Sequence, residues 1–295
     1  MQILFIHGRA QEEFSQEILL EIWSKALSSS FENAKISFPE NLQLKLPYYG
    51  KDLIQQRDLY KEAFKSGKIK MRSANNESQL DEVYHKILED LRINAGITKK
   101  EVAEEAGETE QYRGLMNNKH AIALARLLDK RLDAVSNFCV KWKTDDVATY
   151  LVSDNARKEI NDLHISSLTE EPTILIAHSL GTVIAYDILH TLVEEKYDIR
   201  GLITLGSPLG VNAVKRQLYP APAYPPSLKG PWVNIYDPKD IVALNPLDNK
   251  NFRVTPKIEN REIENDSENR HDITPYLSNP IVAETIHNIF KSGDR

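Results

Sequence analysis

The chain predicts an α/β protein, with a mostly parallel central sheet flanked by helices and interrupted by a helical insertion. Three observations carry that expectation. Short, unbroken runs rich in Ile, Leu and Val occur at Ile3–Ile6, Lys35–Phe38, Thr173–Ala177, Leu202–Leu205 and Val233–Tyr236, with another at Phe252–Thr255. Such runs suit parallel strands covered on both faces. Helical patterns alternate with them at Glu12–Leu27, Ala156–Leu168, Val183–Leu192 and Pro280–Phe290. Finally, the stretch PTILIAHSLGTVIAYDIL (Pro172–Leu189) passes from an apolar run through Ala177-His178-Ser179-Leu180-Gly181 directly into a helical pattern.

The first strand opens at the N-terminus, MQILFIHGRA, with no basic leader or cleavage site, so no targeting segment is expected. Between Lys51 and Thr144 strand-like runs disappear and helical stripes dominate. Leu80, Val83, Tyr84, Ile87, Leu88 and Leu91 form one stripe, and Leu124, Leu128, Leu132 and Val135 another. Thr98 and Glu101 have capping-box spacing for a helix starting near Lys99, and Arg72–Ser78 reads as a loop. Residues 1–50 and 145–295 are therefore expected to form the core, and residues 51–144 a helical insertion or cap. A second irregular segment, Tyr219–Trp232, holds Pro220, Pro222, Pro225, Pro226 and Pro231, a composition for a semi-rigid loop.

Composition narrows the function classes. The 295 residues are 41% apolar and 27% charged, ordinary for a soluble globular chain. A net charge of −6 gives no general electrostatic case for nucleic acid or an anionic membrane. No apolar run approaches the roughly 18 residues of a membrane span. The single cysteine, Cys139, permits no internal disulfide and suits a cytoplasmic setting. The histidines are scattered, with no metal-ligand spacing, so no metal or other cofactor is expected.

The serine turn is the chemical lead. In a small-x-Ser-x-Gly elbow the nucleophile sits on a strained turn with its Oγ lifted clear and the following N–H available to an oxyanion. The positions two before and two after must be small, because strand and helix nearly touch; Ala177 and Gly181 meet that need. The base and acid follow such a serine in the order acid, then histidine. His190 is too close, leaving His271, after the polar loop Glu264–Arg270, and His287, inside the helical pattern of Ile281, Val282, Ile286 and Ile289. His271 is the expected base. For the acid, Asp240 and Asp237 both follow the strand Trp232–Tyr236; Asp240 is favoured, Asp237 is the reserve and Asp248 a weaker third. The oxyanion donors would be the N–H groups of Leu180 and of Arg9, the latter after the first strand at His7-Gly8-Arg9. His7 and His178 read as structural.

These pieces together resemble a lipase-like serine hydrolase of the α/β-hydrolase superfamily. FIHGRA, IAHSLGTVIAYDIL, LITLGSPLG, VNIYDPKDIVAL and RHD occur in the expected order and cover most of the chain outside the insertion. The resemblance implies an α/β-hydrolase fold with a cap, hydrolysis of a small-molecule or lipid ester through Ser179, Asp240 and His271, and a structural Ser207 in the Gly-Ser-Pro turn. It also favours Asp240 over Asp237. DDVATYLVSDNARKEI (Asp145–Ile160) further resembles a group of uncharacterised bacterial hydrolases with helical insertions. A peptidase or amidase on the same fold, or a hydrolase fold without chemistry that serves as a binding module, are the alternatives. LRINAGITKKEVAEEAG (Leu91–Gly107) resembles the opening of a repressor-type helix-turn-helix. The glutamates at 104, 105, 108 and 110 would repel phosphate, so a cap, protein-partner or self-association surface is expected there.

Overall fold

A computed structural model describes residues 1–8, 14–66, 79–107, 118–131, 145–192, 196–265 and 269–293. The elements run β1 (Gln2–Ile6), α1 (Gln16–Ala34), β2 (Gln43–Lys45), α2 (Gly50–Lys65), α3 (Gln79–Asn94), α4 (Lys99–Glu105), α5 (Asn118–Arg131), α6 (Asp145–Val152) and α7 (Asp154–Ser167). They continue with β3 (Thr173–His178), α8 (Leu180–Thr191), β4 (Ile199–Leu205), α9 (Asn212–Lys215), β5 (Trp232–Tyr236), β6 (Glu259–Glu262), α10 (Ile273–Leu277) and α11 (Pro280–Gly293).

Among the described residues the six strands make one sheet in the order β2-β1-β3-β4-β5-β6, with every pair parallel. Alternation along each central strand sorts the core into two layers. Ile3, Phe5, Ile174, Ile176, Ile203, Leu205, Val233 and Ile235 face a layer built from α1, α10 and α11. Leu4, Ile6, Leu175, Ala177 and Leu202 face the other, which contains α8 and the helices of the insertion. Leu80, Val83, Ile87, Leu88, Leu91, Leu124 and Leu128 are buried in that second layer, so both predicted stripes pack toward the sheet where they are described. Leu132, Val135, Cys139 and the segment Arg72–Ser78 lie outside the described residues.

Two strands differ from expectation. Lys35–Phe38 is not a strand: α1 runs on to Ala34 and Lys35 closes it in the left-handed conformation, φ 56°, its N–H bonded to Phe31 and Glu32 carbonyls. The strand beside β1 is instead the polar Gln43–Lys45. At the other edge Phe252–Thr255 is a loop that buries Phe252 and Val254 and exposes Arg253 and Thr255, and the strand is the polar β6, Glu-Asn-Arg-Glu, mostly exposed. Edge strands cover only one face, so an apolar run identifies central strands and misses edges. The helix expected at Glu12 begins at Gln16, because Ser15 caps it by accepting from Ile18 N–H. Thr98 and Glu101 do form the capping box of α4.

The chain leaves β1 toward β2 on one side and returns to β3 on the other. The connections that leave the carboxyl ends of β1 and β3 therefore run to opposite faces, α1 on one face of the sheet and α8 on the other. In an open parallel sheet that crevice is where ligands bind. Gly8 and Ser179 sit at it. A further tie fixes α8 from below: the Tyr150 hydroxyl lies 2.8 Å from Asn161 Oδ1 and 2.9 Å from Asp187 Oδ2, and Arg157 Nε is 3.2 Å from the same carboxylate. Burial raises the Asp187 carboxyl, against the opposing pull of Arg157 and Tyr150.

Candidate active site

Ser179 follows β3 and has φ 54° and ψ −126°, a conformation costing a non-glycine residue about 1–3 kcal/mol. Neighbouring backbone holds it there. Ser179 N–H donates to Leu205 O at 3.1 Å, and Thr182 donates to Ser179 O through both its N–H, at 2.9 Å, and its hydroxyl, at 2.8 Å. Ser207 Oγ is 2.8 Å from Thr182 Oγ1 and accepts from Leu209 N–H, so the Gly-Ser-Pro turn braces the serine turn. The turn is tight enough that a Cβ on Gly181 would stand 2.1 Å from Ile6 O, and one on Gly8 would stand 2.9 Å from Ser179 Cβ.

His271 Nε2 lies 2.8 Å from Ser179 Oγ, and His271 Nδ1 lies 2.7 Å from Asp240 Oδ2. The three residues are buried, at 3%, 6% and 1% exposure for Ser179, His271 and Asp240, which keeps their mutual interactions little screened. Asp240 follows β5 and is aimed by Val242 N–H, which donates to Oδ1 at 2.9 Å, and by the Tyr276 hydroxyl, 2.8 Å from Oδ2. Gly206, at φ 55°, lies against the pair: a Cβ there would approach Asp240 Oδ2 at 3.0 Å and His271 Nδ1 at 3.1 Å.

The two other aspartates have different work. Asp237 accepts from Lys239 N–H, Asn265 N–H and Arg270 Nη1, the last at 3.0 Å, and so staples the loop carrying His271 to the end of β5. Asp248 caps its own loop, accepting from Lys250 and Asn251 N–H groups. His287 lies half-buried on α11. Leu180 is the first residue of α8, where N–H groups lack intrahelical acceptors and the helix dipole favours negative charge. Arg9 lies outside the described residues. Arg270, Thr182 and Gly206 lie within RHD, IAHSLGTVIAYDIL and LITLGSPLG but carry no individual role in the sequence reading, and Tyr276 lies outside those pieces, where a lone residue without spacing or pattern gives no signal.

The histidines flanking the site are held neutral. His7 Nε2 accepts from Tyr49 N–H at 3.3 Å, so the proton is on Nδ1, which donates to Gly8 O at 2.5 Å and shapes the turn after β1. Burial brings His7 down to about 3 and His164 to about 4, and holds His178 well below the usual histidine value. His178 Nε2–H donates to His271 O at 3.0 Å. The unfolded chain takes up protons at these rings near 6.5 while the native state does not, so stability is complete above 6.5 and falls below it. The melting temperature is therefore expected to drop as pH is lowered from about 6.5 toward 4. A flat profile over that window would contradict the neutral assignments.

Among the described residues no group of three or more His, Cys, Asp or Glu side chains is arranged to hold a metal ion, and no helix is long and apolar enough to cross a membrane. No family model matches the sequence, and no curated protein matches it.

Proposed function

We propose that the protein is a serine hydrolase of the α/β-hydrolase fold that cleaves an ester through an acyl-enzyme intermediate. The observation that carries this reading is the continuous relay from Asp240 Oδ2 to His271 to Ser179 Oγ, at 2.7 and 2.8 Å, at the crevice between β1 and β3. His271 takes the serine proton as Oγ bonds to the carbonyl carbon, and Asp240 holds Nδ1–H and stabilises the imidazolium. The carbonyl oxygen becomes an oxyanion facing Leu180 N–H at the start of α8, with Arg9 N–H as the proposed second donor. His271 then gives its proton to the departing alcohol. In the second half-reaction water loses a proton to His271 as it attacks the acyl carbon, and His271 returns that proton to Ser179 Oγ as the acyl–Oγ bond breaks and the acid leaves. No cofactor enters these steps.

The ester assignment rests on the lipase-like sequence pieces, since the same relay cleaves amides. Substrate choice is assigned to the Pro-rich loop and the helical insertion. The loop is fastened to α8 by Tyr186, whose hydroxyl lies 3.1 and 3.0 Å from the carbonyls of Pro220 and Ala221. An alkyl fluorophosphonate is expected to label the wild-type protein once, on the peptide containing Ser179, and to leave Ser179→Ala unlabelled. Labelling that persists in Ser179→Ala would remove the serine from its role. A series of p-nitrophenyl esters of rising chain length, run beside peptide and phospholipid substrates, separates esterase from peptidase. Turnover of none of them by a protein that does not label would favour the binding-module alternative.

A further inference from the structure

Tyr276 follows His271 by five positions and lies on α10, whose start is capped by Asp272 accepting from Thr274 N–H. Its side chain is fully buried. The hydroxyl accepts from Asp237 N–H at 2.9 Å and lies 2.8 Å from Asp240 Oδ2. A backbone N–H can only donate, and a phenol has one proton, so that proton is directed at Asp240. Oδ2 consequently receives two donors, the phenol and His271 Nδ1–H, while Oδ1 receives Val242 N–H.

We propose that Tyr276 is a positioning residue that sets how strongly Asp240 holds His271, by competing with the imidazole for the same carboxylate oxygen. The inference rests on the hydrolytic reading of Ser179, Asp240 and His271. A hydrogen bond from the phenol draws charge from Oδ2 and weakens its pull on a protonated imidazole. It also fixes the carboxylate plane against the ring. Burial, with the Asp240 charge next, holds the phenol well above its ordinary range, so it remains a donor throughout the working pH. The other groups facing this pair are His178 from β3, which donates to His271 O, and the Asp237–Arg270 ion pair, already satisfied within its own loop.

Tyr276→Phe removes the donor and little volume. Its kcat is expected to fall roughly tenfold, the scale of one charge-assisted hydrogen bond. The acid limb of its kcat/KM profile is expected to move to higher pH. The downfield proton resonance of the Asp240–His271 hydrogen bond, assigned by its loss in Asp240→Asn, should move further downfield. A ring-fluorinated tyrosine installed at position 276 keeps the hydroxyl as a stronger donor, and should move limb and resonance in the opposite sense. That second variant decides the matter should Tyr276→Phe fail to fold. A limb and a resonance unmoved in both variants, with activity tracking only the melting temperature, would reduce Tyr276 to packing. A wild-type protein that neither labels nor hydrolyses esters would instead overturn the hydrolytic reading, and the resonance would still report the coupling of Tyr276 to Asp240.

Discussion

If the proposed hydrolysis holds, Ser179→Ala and His271→Ala are each expected to lower kcat for an ester by about a millionfold, and the double variant by hardly more, because a nucleophile and its base act as one unit. Asp240→Asn should cost about ten-thousandfold, since an amide facing Nδ1 favours the wrong tautomer and withdraws the charge that stabilises the imidazolium. The contrast lies with Asp237→Asn. Asp237 touches Lys239, Asn265 and Arg270 but not the imidazole, so its loss leaves Arg270, with a quarter-exposed side chain, short of its partner. Destabilisation of about 1–3 kcal/mol is expected, below the cost of breaking a fully buried pair because Arg270 reaches water. The rate should stay within about tenfold of wild type. Steady-state kinetics beside thermal melting separates these outcomes. A ten-thousandfold rate loss in Asp237→Asn with a mild effect in Asp240→Asn would exchange the two roles. His287→Ala, on the far helix α11, should turn over normally.

The two aspartates also mark how far the sequence could be read. Position after β5 places both at the carboxyl end of the sheet, and no sequence rule separates two acids three residues apart on one loop. The separation comes from partners: Arg270 and Asn265 engage Asp237, while Tyr276 and Val242 engage Asp240, and these lie up to 36 positions away. Local patterns gave more. The Ile- and Leu-rich run of β3 and the small residue at Gly181 were legible because burial on both faces and close approach each demand one kind of residue. Polar β2 and β6 were illegible for the converse reason, since an edge strand with an exposed face needs no apolar run. Lys35 was misread because a helix end in the left-handed conformation has no required residue apart from a preference for glycine.

Gly181→Ala is expected to damage both the stability of the fold and the serine turn. Its Cβ would stand 2.1 Å from Ile6 O and 2.7 Å from His7 O, both backbone atoms of β1 and its exit, which no rotamer change can clear. Relief requires α8 to withdraw from β1, which would carry Leu180 N–H and Ser179 out of register with His271. Stability should fall by about 3 kcal/mol, the upper range for an overpacked site, and fluorophosphonate labelling should be lost even in the folded fraction. Ala177, the small position on the strand side, already carries a methyl, and that methyl lies inside the apolar layer with Leu180 and Val183. The two flanks of the serine are therefore unequal: the strand side tolerates a methyl and the helix side does not. Ala177→Gly should lose only the small packing and backbone-entropy terms, about 1 kcal/mol, and still label. A Gly181→Ala protein that melts and labels as wild type would mean that α8 does not approach β1 this closely, and the strained serine turn would lose its structural cause.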